Sequence, residues 1–103
     1  MNASIERVKV EILFDAPLID LVVRAVEEAG AGGYTILPAL GGSGRNGRWR
    51  EDRVSGADTK LLLLAIATDE IADTLVRELE PLLETHGLIV LTSRVGIVRG
   101  SKF

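Results

Sequence analysis

The 103-residue chain has no cysteine, a single histidine, three prolines and only 4% aromatic residues. Without cysteine there is neither a disulfide framework nor a thiolate metal site. With so few aromatics a folded core has to be aliphatic, and in so small a domain a subunit interface could bury apolar surface that one chain cannot cover. The lone histidine, His86, has no ligand-like spacing to carboxylates; placed before Gly87 it suits a helix C-terminus, where a cation is favourable. Long apolar runs are also missing. Residues 61–67 are too few to span a bilayer, and residues 5–14 alternate with charge where a signal peptide would be continuously apolar. A cytoplasmic protein is expected. A net charge of -3 argues against a nucleic-acid partner, because phosphate-backbone affinity needs clustered cations.

What is present is ordinary for a globular domain: 47% hydrophobic and 26% charged residues. Val8, Val10, Ile12 and Phe14 recur at period two between Arg7, Lys9 and Glu11, which predicts a strand with one buried face. Asp15 is placed to cap a helix that tolerates Pro17 in its first turn, carries Leu18, Leu21, Val22, Ala25 and Ala29 inward, and stops at Gly30. Residues 34–40 read as a second strand, with Pro38 assigning part of it to an edge or bulge. Residues 59–67 are almost continuously apolar, as in a strand buried on both faces. Thr68 or Asp69 caps a second helix with Ile71, Ala72, Leu75, Leu79, Leu82 and Leu83 as its inner stripe. Pro81 is expected to bend that helix and His86-Gly87 to end it. Residues 88–98 supply the last strand, with room for a break near Ser93. The order β-α-β-β-α-β predicts an α+β, ferredoxin-like sandwich forming one domain over residues 1–103.

Between the second and third of these strands, residues 41–58 hold five of the eleven glycines and four of the nine arginines, without apolar periodicity. Such a long excursion is functional or disordered more often than merely connective. In Gly41-Gly42-Ser43-Gly44-Arg45-Asn46-Gly47-Arg48, closely spaced glycines can let backbone N–H groups converge on an anion, with Ser43, Arg45 and Arg48 adding donors and charge; the alternative is a solvated loop. It is not a Walker A loop, since no Lys-Ser/Thr pair and no helix follow. The only tryptophan, Trp49, sits among Arg48, Arg50 and Arg53. It is either a partner-binding hot spot or folded back on the body or on an arginine. Arg99 and Lys102 could complete a phosphate site or form a basic tail. Asp58 and Lys60 flank the excursion, but no nucleophile–base constellation is present, and no enzymatic activity is expected.

The run Gly33-Tyr34-Thr35-Ile36-Leu37-Pro38-Ala39-Leu40-Gly41-Gly42-Ser43-Gly44-Arg45 resembles the PII signalling family, in which a Gly-x-Thr-Val strand start leads through Gly-x-Gly-Arg into the T-loop. The apolar third strand, the glycine after the second helix and the segment Arg94-Val95-Gly96-Ile97-Val98-Arg99-Gly100 extend the likeness over nearly the whole chain. The resemblance implies a homotrimer with adenine-nucleotide sites between subunits and a T-loop at about residues 41–58. It implies that Thr35 bonds the adenine edge and that Gly42, Ser43, Gly44 and Arg45 face the phosphates. Lys60, Gly87, Arg99 and Lys102 would approach from the third strand, the B-loop, the last strand and the tail.

Three departures bear on the ligand. The excursion has no tyrosine for uridylylation, Asn46 stands where the family's T-loop glutamine helps hold magnesium and 2-oxoglutarate, and the region after His86-Gly87 lacks a glycine- and lysine-rich B-loop. The chain is more similar to the PII-like proteins of carboxysomes and inorganic-carbon transport. That likeness implies ADP or AMP as ligand, with ATP possible, bicarbonate as effector and no required metal. Gly42, Ser43, Gly44, Arg45 and Arg48 would then hold the anion. Arg48, Trp49, Arg50 and Arg53 would meet a bicarbonate transporter or carboxysomal protein. The alternatives are a nitrogen-regulatory PII sensor of ATP/ADP and 2-oxoglutarate, and a metal-binding or structural trimer of the CutA type.

Overall fold

The period-two pattern at the start of the chain becomes the central strand of a sheet. The computed structural model describes residues 4–45, 47–50 and 59–98. In chain order these form β1 (Ile5–Asp15), a 3-10 turn (Ala16–Leu18), α1 (Ile19–Ala29), β2 (Tyr34–Ala39), β3 (Gly41–Gly44), β4 (Gly47–Arg50), β5 (Lys60–Ala67), α2 (Asp69–Thr85) and β6 (Ile89–Ile97). The main sheet has the order β2-β5-β1-β6, and every neighbouring pair in it is antiparallel. This is the βαββαβ ferredoxin-like fold, with β3 and β4 forming a separate two-stranded ribbon between β2 and β5. Pro38 lies on the edge strand β2, where its missing N–H does not interrupt an interior ladder.

Both helices cover one face of the sheet. Val10, Ile12 and Phe14 of β1 and Leu63, Ala65 and Ala67 of β5 pack there with Val22 and Val26 of α1 and Leu75 and Leu79 of α2. Full burial of side chains such as Phe14, Leu63 and Leu75 contributes about 1.5–3 kcal/mol each, which holds the sheet that carries the hairpin. Gly30 closes α1 at φ +92°, its N–H reaching the carbonyls of Glu27 and Val26. Thr68 caps α2 by accepting the Ile71 N–H at 3.3 Å, and Asp69 and Glu70 occupy the first turn.

Several local expectations are corrected. Asp15 makes no side-chain cap; a 3-10 turn containing Pro17 intervenes before α1, and the Asp15 carboxylate goes to Lys60. β5 is not buried on both faces of one chain: alternate residues are covered by the helices, while Leu62, Leu64 and Ile66 are only half-buried. β6 runs through Ser93 unbroken, because it pairs with β1 along its whole length. α2, by contrast, runs as expected, containing Pro81 and ending at Thr85 with His86 as its C-cap.

The helix-free face is apolar. Leu37, Ile89 and Leu91 are 46%, 52% and 57% exposed there, beside Leu13, Leu62, Leu64 and Ile66, and no described element covers them. A Lys9–Glu11 ion pair of 3.6 Å interrupts this face on β1. Among the described residues no helix is long and apolar enough to cross a membrane.

Candidate functional site

The candidate residues gather at one end of the sheet because of strand direction. β1 and β2 finish there, at Asp15 and Ala39, while β5 begins there at Lys60; the register pairs Lys60 with both. β6 also begins at this end, its first residue Ile89 opposite Leu13, so Gly87 sits just beyond the sheet's edge at φ +65°. The return of the chain into β5 is pinned by the Ala16 N–H, which donates to the Thr59 carbonyl at 2.9 Å.

From this end rises the glycine–arginine segment. It is not an irregular loop at its base. β3 and β4 pair as Gly41↔Arg50, Gly42↔Trp49, Ser43↔Arg48 and Gly44↔Gly47, around a turn at Arg45 and a Gly47 with φ +100°. In this ribbon Gly41, Gly42 and Gly44 are extended, and the left-handed glycine of the segment is Gly47. Gly42 is glycine for a different reason. A Cβ there would stand 2.8 Å from Cζ2 of Trp49, so the indole lies directly over the bare backbone.

Trp49 is half-buried and folds back on the body of the chain, over Lys60 at the start of β5. Lys60 Nζ lies 5.3 Å from the centre of its ring. The same ammonium donates to Asp15 Oδ1 at 2.5 Å. Asp15, Lys60 and Trp49 thus form one chain of contacts joining β1, β5 and the hairpin. A shallow cavity of about 330 Å³ lined by Gly41, Gly42, Arg48 and Trp49 opens beside it. Arg45 and Arg48 are exposed and form no ion pair with a described residue, so this end carries cations able to meet an anion.

Thr35 is exposed on the helix-free face, opposite Leu64, two alternate positions along β2 from Ala39. Gly42, Ser43, Gly44, Arg45, Lys60 and Gly87 lie toward this end of the sheet, whereas Thr35 stands four residues back along β2, at the edge opposite β6. Arg53, Arg99 and Lys102, and the side chain of Arg50, lie outside the described residues, as does Asn46. β6 carries the chain away from the hairpin: Ile97 pairs with Ile5 at the opposite end of the sheet, about 26 Å along the strand from Ile89.

His86 is exposed at the C-terminus of α2, with Nδ1 2.8 Å from Thr85 Oγ1. Among the described residues no three His, Cys, Asp or Glu side chains are grouped to hold a metal ion. At the far end of the sheet, Arg94 bonds Asp69 at 2.9 Å and Glu6 at 3.1 Å; these hydrogen bonds, Asp69 first, push its pKa above the ordinary guanidinium value.

Sequence reasoning missed the role of Asp15, which it assigned to a helix. The signal lay in the parity of β1: Asp15 falls on the same face as Arg7, Lys9 and Glu11, pointing away from the helices.

Comparison with known proteins places this architecture. The family model described as nitrogen regulatory protein P-II matches residues 7–102, and the chain belongs to that family. No curated protein matches it in sequence. Among solved structures it is similar to CPII, a nitrogen regulatory PII-like protein from Thiomonas intermedia K12 bound to ADP, AMP and bicarbonate. That match has a TM-score of 0.87 and 24% identity over 97% of this chain and 95% of that one. A PII-like signalling protein from Thermus thermophilus is 30% identical, with a TM-score of 0.84, over 100% of this chain and 99% of its own. The GlnK–ATP complex of B. subtilis is more distant, at 12% identity and a TM-score of 0.61, over 92% and 84% of the two chains.

Proposed function

We propose that this chain is a PII-like sensor that binds ADP or AMP, with bicarbonate as a second ligand, in clefts between the subunits of a homotrimer. The observation that carries this reading is the placement of the Gly-Ser-Gly-Arg ribbon, Lys60 and Gly87 at one end of the sheet. CPII, of the same fold, is a structure bound to ADP, AMP and bicarbonate, which supports the choice of ligands. Thr35 would take the adenine edge, and Ser43, Arg45 and Lys60 with the backbone of Gly42 and Gly44 would take the phosphates. A guanidinium of Arg45 or Arg48 matches a planar anion such as bicarbonate in bidentate fashion.

The uncovered apolar face supports assembly, since contiguous exposed apolar surface of this kind marks interaction sites. Three copies would cover Leu37, Ile89 and Leu91. Assembly would also resolve the position of Arg99 and Lys102: β6 leaves the hairpin end, so in this reading a neighbouring subunit supplies them. Each subunit acts as a single domain over residues 1–103, without catalysis, in the cytoplasm. Ligand binding would reposition the hairpin and present Trp49 with Arg48, Arg50 and Arg53 to a bicarbonate transporter or carboxysomal protein, regulating inorganic-carbon use.

A melting experiment on the full chain tests the ligand class. ADP or AMP should raise Tm by mass action, further with bicarbonate, while ATP with 2-oxoglutarate should act less. The reverse ranking would assign the chain to nitrogen regulation. No shift with any nucleotide, and a shift with divalent metal instead, would favour a CutA-like role.

A further inference from the structure

Asp15 has no part in the reading above, yet it holds the cation on which that reading leans. Lys60 and Asp15 stand directly opposite each other across β1 and β5, so backbone register fixes the carboxylate there. The Lys60 ammonium is engaged by two partners, Asp15 Oδ1 and the ring of Trp49. The Asp15 side chain is 48% exposed and that of Lys60 only 27%. A ligand reaching Lys60 from solvent therefore also meets the carboxylate. Asp15 fits no other task in the fold, since the 3-10 turn after it receives no side-chain cap.

We infer that Asp15 is a specificity-determining residue that limits the negative charge the site accepts, favouring mono- and diphosphate nucleotides over triphosphates. The inference rests on the adenine-nucleotide reading of this site. A lysine already neutralised by a carboxylate offers a phosphate little net attraction. Each added phosphate charge close to Asp15 is opposed in proportion to its magnitude and proximity, with water screening part of the effect. The exposed guanidinium groups of Arg45 and Arg48 offset a limited charge. AMP feels the opposition least and ATP most.

The test is calorimetric titration of AMP, ADP and ATP, without magnesium, into the wild type and the variants Asp15→Asn, Asp15→Ser, Asp15→Glu and Asp73→Asn. Asp73 lies on α2, on the helix-covered side, and its replacement matches the charge change away from Lys60. Asp15→Asn and Asp15→Ser should each tighten ATP about tenfold, ADP less, and leave AMP within about twofold, as expected for removal of one nearby charge. Unchanged AMP affinity also certifies the fold. Asp15→Glu should keep the wild-type order, and Asp73→Asn should change nothing. Equal shifts for all three nucleotides, no shift for any, or the same shift in Asp73→Asn would overturn the inference while leaving the site reading intact. A wild type that binds none of the three nucleotides would overturn both.

Discussion

The indole of Trp49 rests on Gly42, its cross-strand neighbour in the ribbon, in space that any β-carbon at position 42 would need. The same ring lies over the Lys60 ammonium, so one bare backbone position allows a hairpin side chain to reach the sheet. Gly42→Ala should force the ring aside. Because Trp49 is the only tryptophan, its emission should move to longer wavelength as the indole becomes more exposed, with melting little changed. Unaltered emission would mean that the ring is not seated on Gly42 in solution.

Lys60→Met removes both the Asp15 ion pair and the cation–π contact. At these half-exposed positions the loss of stability should be about 1 kcal/mol, measurable by denaturant unfolding. The same variant should weaken ADP binding, while Asp15→Asn should not. A Lys60→Met protein that binds ADP like the wild type would remove Lys60 from the site.

Much of the fold is legible in the sequence, and the parts that are not share a cause. Periodicity identifies β1 and both helices, and the missing N–H of Pro38 points to an edge or bulge, because each depends on residues near one another in the chain. Composition alone marks residues 41–58 as an excursion, either an anion-binding segment or a solvated loop. Its ribbon geometry is not legible, because a Gly-rich strand carries no side-chain alternation to read. Pairings between Asp15 and Lys60, and between Trp49 and Lys60, depend on register across long sequence separations. For the same reason β5 looked buried on both faces: its second face is apolar, but within one chain nothing described covers it.

That face yields a prediction about assembly. Leu91→Glu places a charge on a residue that is 57% exposed in the single chain, so folding should be barely affected. Sedimentation velocity should show the wild type as three subunits and Leu91→Glu as one. A variant that sediments with the wild type would place the subunit contact elsewhere.

The core predicts a larger effect. Leu75 is fully buried between α2 and the sheet, and Leu75→Ala should cost about 2–5 kcal/mol through lost burial and the cavity left behind. A lower denaturation midpoint with unchanged slope is the expected signature.

Arg94 ties the N-terminus of α2 to β1 through Asp69 and Glu6, and Arg94→Met should give a small destabilisation that high salt erases. These partners raise the Arg94 pKa in the folded state, so its stabilising contribution is fully present below the unfolded value and is lost only as pH rises through the still higher folded value. The difference between wild type and Arg94→Met should therefore show no change from Arg94 titration through neutral and mildly alkaline pH.

The central claim is that one end of the sheet binds adenine nucleotide together with a small anion, and isothermal titration of ADP with and without bicarbonate tests it most directly. The account predicts that ADP binds and that bicarbonate tightens it, with ADP tightening bicarbonate by the same factor, as linkage requires. Binding of each ligand with an affinity indifferent to the other would contradict the coupling. No ADP binding under either condition would contradict the site itself.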